Sequence, residues 1–258
     1  MYPFIDIFGR RIGTYGLCMA IAVLLVAAIA IMRGKKQGVV AEDILIVGAC
    51  AVVSALVCGS LLYVFITFSL DQIWQMITAG RIEELLGSGI VFYGGLIGGI
   101  FGALLGMKIA KCGVSDLERA VVPFIPLGHA IGRVGCVFAG CCYGMEYDGF
   151  CALYYPHSLA GVSPEQGYFP TQLLEALLNC IICVCLVLLA RRRRKSYDIL
   201  FAYLGMYSLA RFLLEFTRGD SIRGIYFGIS SSQWISLGLA AAVVIRAIWL
   251  KKKQAAVS

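Results

Sequence analysis

His129 and Arg133 stand four residues apart, Gln172 and Glu175 three apart, and Arg211, Glu215 and Arg218 at i, i+4 and i+7. On a helix each set falls on one face. All three sets lie inside or at the end of apolar runs. An ionisable group there costs about 2.5–3.5 kcal/mol on insertion scales, and it marks a functional site by default. Arg133 is flanked by glycines and has no acidic residue within four positions. It is therefore expected to be an unpaired guanidinium. A guanidinium holds phosphate through two parallel hydrogen bonds and does not deprotonate. Phospholipid is the anion most available to it at membrane depth. Arg211 and Glu215 are spaced to pair along their own helix, and Arg218 either snorkels to the interface or joins the anion site. His129 is either a general base or a packed, hydrogen-bonded histidine. His157 reads as solvated.

These residues need helices to hold them. The chain has 258 residues, 60% hydrophobic and 14% charged, where a soluble domain is nearer a quarter charged. Crossing ~30 Å of hydrocarbon takes about 20 apolar residues. Seven runs qualify: 14–32, 43–67, 90–110, 121–140, 171–190, 198–217 and 229–250. No barrel alternation is present, so the fold class is all-α, a polytopic membrane bundle forming one domain over 1–258. The first helix lacks a cleavable signal's layout and is expected to stay.

The net charge of +7 gives topology and is no nucleic-acid signal. Arg33, Lys35 and Lys36, then Lys108, Lys111 and Arg119, then Arg191 to Lys195, then Arg246 and Lys251 to Lys253 all follow odd-numbered spans. Arg10, Arg11, Arg81, Arg218 and Arg223 make a smaller set on the other side. The bias predicts a cytoplasmic C-terminus and an outer N-terminus. Segments 68–89 and 141–170 then lie outside, the first as an interfacial amphipathic helix, the second as a covering loop. Tyr15, Tyr93, Gln172, Glu175, Arg133, Arg211, Glu215 and Arg218 share the outer-leaflet depth, which predicts one polar cavity opening outward.

Two further patterns concern small residues. Gly95, Gly98, Gly99, Gly102 and Gly106 make overlapping small-xxx-small spacings that let helices approach closely. Gly94 and Gly95, beside Tyr93, either pack or let a head group reach the backbone. Of eleven cysteines, six (Cys18, Cys50, Cys58, Cys180, Cys183 and Cys185) lie within apolar helices as packing residues. Cys136, Cys141, Cys142 and Cys151 lie near the outer face, where Cys141 or Cys142 could pair with Cys151. Their spacing matches no standard zinc pattern. No metal and no cofactor is expected.

Five stretches carry a family resemblance. "TYGLCMAIAV" (14–23), "VFYGGLIGG" (91–99), "SDLERAVVPFIPLGHAIGRVGCVFAGCCYG" (115–144), "FPTQLLEA" (169–176) and "MYSLARFLLEFTRGD" (206–220) resemble the prolipoprotein diacylglyceryl transferases. Their counterparts there are a first-helix tyrosine motif, HGGLIG, GRxGNFxNxE, HPSQLYE and YxxxRxxxExxR. Tyr15, Asp116, Gly132, Arg133, Gln172, Glu175, Arg211, Glu215 and Arg218 keep the family identities. Tyr93 and Phe169 replace histidines, Cys136 an asparagine and Cys141 a glutamate. The resemblance implies a seven-helix enzyme of the bacterial cytoplasmic membrane. It implies transfer of the diacylglyceryl group of phosphatidylglycerol to the lipobox cysteine of a preprolipoprotein, releasing glycerol phosphate. Arg133, Arg211, Tyr93, Glu175 and Glu215 would be catalytic. Arg133, Arg211, Arg218, Tyr15, Gly94, Gly95, Gln172 and Cys136 would bind the lipid. The four replacements keep two alternatives open: a head-group transferase with another acceptor, and a phospholipid-binding or transport protein without chemistry.

Overall fold

The computed structural model describes residues 2–7, 9–87, 89–158, 161–192, 198–219 and 225–255. Arg193, Arg194, Lys195 and Arg223 of the basic bias lie outside the described residues, as do 88, 159 and 160 of the expected outer segments. Among the described residues seven helical stretches are long and apolar enough to cross a membrane. The chain divides into two compact units, Ile31–Leu117, and Met1–Ala30 together with Glu118–Ser258.

The first strands, β1 (Phe4–Ile7) and β2 (Arg10–Gly13), pair antiparallel ahead of α1 (Thr14–Lys35). Arg11 lies over the Phe4 ring at 4.5 Å. The Ile31–Leu117 unit is built on α2 (Ala41–Thr67) and α5 (Phe92–Ala110). Their approach is antiparallel and close. A Cβ on Gly94, Gly98 or Gly102 would overlap the carbonyl oxygens of Cys58, Ser54 and Cys50 respectively. Of the two overlapping glycine sets, the one in contact is thus Gly94, Gly98, Gly102 and Gly106. Gly95 and Gly99 meet α2 atoms only at ordinary distance. Between these spans lie α3 (Leu70–Thr78) and α4 (Ile82–Gly87). Segment 68–89 is therefore two short helices instead of one. The break follows from Gly80, which takes φ +71°. Ser69 and Gln72 form a reciprocal capping box at the start of α3.

The fourth span is longer than the sequence suggests. It runs from 114 to 139 as α6 (Val114–Val121), a 3₁₀ turn over Val122–Phe124 and α7 (Ile125–Ala139). Pro123 and Pro126 explain the tight turn, since neither can donate into a continuous helix. Asp116 caps the start of α6, its Oδ2 accepting from Gly113 N at 2.7 Å.

The larger unit continues with α8 (Thr171–Arg192), α9 (Asp198–Leu214) and a 3₁₀ turn over Glu215–Thr217. Short strands β3 (Ile225–Tyr226) and β4 (Ile229–Ser230) precede α10 (Ser231–Ala255). Packing passes from α7 to α8, from α8 to α9 and from α9 to α10. Val122, Ile182, Leu186, Ala190 and Ile199 form an apolar core near one end. At that end Glu118, 1% exposed, accepts from Ile199 N at 3.0 Å and Leu200 N at 2.9 Å. Two orphan donors of the first turn of α9 are thereby satisfied. Its neighbour Arg119 donates through Nη2 to Ala190 O at 3.1 Å, near the end of α8. Adjacent charges of α6 thus close the facing ends of two helices.

Candidate active site

The other end of the larger unit gathers the polar residues. Glu175, in the second turn of α8, is 1% exposed. Its Oε1 lies 2.9 Å from Arg133 Nη2 and 3.5 Å from His129 Nε2. His129 and Arg133 share a face of α7, as their spacing predicts, and Arg133 Nε donates to His129 Nε2 at 3.3 Å. Arg133 is therefore not the unpaired guanidinium expected from its own helix. Its partner comes from the next helix, which a search along α7 cannot reach. On α9, Arg211 Nη2 lies 2.8 Å from Glu215 Oε2 and donates to Ser232 Oγ at 3.0 Å. That pairing along the helix is the one the sequence gives.

Two of the buried atoms that lack a hydrogen bond among the described residues stand out here. Glu175 Oε2 accepts from no donor and Arg211 Nη1 reaches no acceptor, though both are buried. A buried polar atom without a hydrogen bond costs about 1–3 kcal/mol, more when charged. Such an expense is understandable where a substrate supplies the missing partner.

Tyr207 of α9 sits between the helices and was missed as a site residue. Its ring centroid is 5.3 Å from that of His129, and its phenol lies in the fields of Glu175, Arg133, Arg211 and Arg218. The available signal is its place four residues before Arg211, on the same helix face. Two guanidiniums, Arg133 and Arg211, meet two carboxylates, Glu175 and Glu215, and Arg218 lies within electrostatic reach of Tyr207.

Gln172 opens α8 one turn before Glu175, and it is 1% exposed. Its Nε2 donates to Cys141 O and to Tyr155 Oη, both at 2.9 Å. Burial pushes the Tyr155 phenol up to about 12, against the opposing effect of its bond with Gln172. The 141–170 segment is tied across itself and to the turn that follows α9. Met145 N donates to Thr217 O, and Phe169 N to Met145 O, each at 2.9 Å. The Phe169 ring meets Tyr147 edge-on at 5.3 Å, so it stiffens the loop. His157 is exposed, as expected.

Tyr15 lies in the first turn of α1 against Gly135, where an added Cβ would lie 3.3 Å from the Tyr15 ring. It is also within electrostatic reach of Arg133 and Cys136. Tyr93, Gly94 and Gly95 open α5 in the other unit, where Gly94 packs on Cys58. Among the described residues all eleven cysteines are thiols. Cys151 makes a side-chain hydrogen bond with Tyr147 and no disulfide with Cys141 or Cys142. Instead the Sγ atoms of Cys136, Cys141 and Cys142 lie within 4.8 Å of one another. Hydrogen bonds from Cys136 and Cys141 hold the Cys142 thiol below the ordinary range. Arg133 and Arg218 add to this and burial opposes it.

A multi-pass helical membrane protein with an arginine–carboxylate site at one end of its bundle is thus defined by fold and geometry. The family model for prolipoprotein diacylglyceryl transferase matches residues 3–249. The chain belongs to that family, and so is a membrane transferase of lipoprotein biosynthesis. It is 30% identical over 232 residues to the phosphatidylglycerol–prolipoprotein diacylglyceryl transferase of Clostridium tetani, covering 90% of each chain. The second such transferase of Clostridium perfringens is 29% identical over 235 residues, covering 90% of this chain and 88% of the relative. The Clostridioides difficile transferase is 29% identical over 247 residues, covering 96% and 94%.

Proposed function

We propose that this protein moves the diacylglyceryl group of phosphatidylglycerol to the cysteine thiol of a preprolipoprotein lipobox. The reaction takes place in a bacterial cytoplasmic membrane, at a cavity facing the outer leaflet. The carrying observation is the convergence of Arg133, Glu175, Arg211 and Glu215 around Tyr207, with Arg211 Nη1 and Glu175 Oε2 buried and open to a ligand.

The acceptor sulfur attacks the glyceryl carbon in line. A C–S bond forms, and the bond from that carbon to the phosphate oxygen breaks. Glycerol phosphate leaves with one more negative charge than the diester carried. Arg133 and Arg211 meet that growing charge, and fixed cations in a low-dielectric site are worth more than in water. The Nη1 of Arg211, which has no acceptor, is the donor available to it. The thiol proton goes to Glu175, whose Oε2 is open to a donor. His129 holds Arg133 from behind through its Nε2. The family resemblance alone assigns Tyr93, standing where the family has a histidine, to the head group with Gly94 and Gly95. Its phenol serves there as a hydrogen-bond donor. Arg218, Tyr15, Gln172 and Cys136 line the lipid site, and the basic bias of the helix ends supports a cytoplasmic C-terminus.

The test is complementation. Expressed in cells depleted of their own transferase, the chain should restore lipidation of a reporter lipobox protein. A stably inserted protein that leaves the reporter unmodified overturns the proposal.

A further inference from the structure

The cysteines that match no linear metal pattern are brought together by the way α7 ends. Gly140 takes φ +67°. Gly140 N donates to Val137 O at 3.2 Å and Cys141 N to Cys136 O at 3.1 Å. This pair of bonds is the Schellman arrangement, in which the side chains three residues inside and two beyond the helix end come into contact. Those two positions are Cys136 and Cys141. Cys142 then turns its own backbone to φ +57°. A left-handed conformation costs an ordinary L-residue about 1–2 kcal/mol, and only Gly, Asn or Asp adopts it routinely. With that turn the third thiol joins the other two.

The surrounding contacts hold this loop rigidly. Ser158 Oγ donates to Gly140 O at 2.7 Å, and Gln172 Nε2 to Cys141 O at 2.9 Å. A Cβ on Gly140 would come 2.9 Å from Ser158 Cα, so side chains are barred there by space as well as by φ. The backbone that carries the thiols is thus fixed before any ligand arrives.

We propose that Cys136, Cys141 and Cys142 form a three-thiolate site for a soft, thiophilic metal ion. Metal–sulfur bonds of about 2.3 Å place three sulfurs roughly 3.8–4.0 Å apart around one ion. The three Sγ atoms already lie within 4.8 Å of one another, so under about 1 Å of side-chain movement completes the set. Thiolate ligands select ions such as Cu(I), Zn(II) and their heavier relatives. Binding forms three metal–sulfur bonds and releases three thiol protons to water. Three thiolates around a divalent ion leave one negative charge, and Arg133 and Arg218 stand close enough to act on Cys142. Cys136 is buried, while Cys141 and Cys142 are half-buried, which leaves a side for the ion to enter.

The site does not depend on the transferase reading, and its test measures no turnover. Purified reduced protein in detergent is titrated with Cd(II), following sulfur-to-metal charge-transfer absorption and metal content. One tight equivalent per chain is expected. Cys136→Ser, Cys141→Ser and Cys142→Ser should each weaken it more than about tenfold, since even outer-shell partners of a metal cost ~10–100-fold. Cys151→Ser should leave it unchanged. Cys142→Gly removes the third thiol while relieving the left-handed strain, so it separates lost ligation from lost folding. Equal binding by wild type and Cys142→Gly overturns the proposal. So does an absence of tight binding, or a Cys136–Cys141 disulfide whose reduction leaves Cd(II) unbound.

Discussion

Glu118 and Glu175 are equally buried glutamates at opposite ends of one helical unit, each 1% exposed. Glu118 takes two backbone N–H groups of α9. Glu175 faces Arg133 and His129 from one oxygen and nothing from the other. The same side chain is satisfied by the fold at one end and left incomplete at the other. A buried carboxylate is therefore a poor guide to function by itself. What separates the two is whether its oxygens are already used.

The largest effect expected from this contrast is at Glu175. Glu175→Gln should lower lipidation of a reporter by at least about 100-fold, the scale for losing one preorganised electrostatic group. Its detergent melting temperature should stay close to wild type. Arg211→Gln should fall nearly as far, because it removes the donor with no internal acceptor. Retained activity in both variants would erase the distinction between the two ends. Glu118→Ala should do the reverse. It strands two helix donors and should cost about 3 kcal/mol of stability, read as a lower melting temperature, with activity per folded molecule unchanged. If Glu118→Ala abolishes turnover at normal stability, the contrast collapses. Tyr155→Phe sharpens the boundary between the roles. It removes the bond to Gln172 and should cost about 1 kcal/mol, with a small loss of activity through the Cys141 carbonyl that Gln172 also holds.

How much of this the sequence carries depends on how far each partner lies. The seven spans follow from composition and length alone. The shared faces of His129 with Arg133, and of Arg211 with Glu215, follow from helical spacing. Glu175 is visible as a misplaced charge, but its pairing with Arg133 crosses between helices. The partners of Glu118 and Arg119 lie 81 and 71 residues away, so the pair reads as ordinary helix-end charge. The thiol cluster was illegible for a different reason. It depends on two left-handed residues, and only Gly140 announces one.

The separation of Glu118 from α9 also sets an order of assembly. The chain makes α6 first and the backbone that satisfies its glutamate 81 residues later. At ~5–20 residues per second, synthesis leaves several seconds between the two. During that interval the two backbone N–H groups that donate to Glu118 do not yet exist. Glu118 gains these two bonds only once α9 begins, which couples completion of the fourth span to the α8–α9 hairpin. Truncation before residue 199 would remove both donors, so the start of α9 is what completes the helix-end bonding of the fourth span.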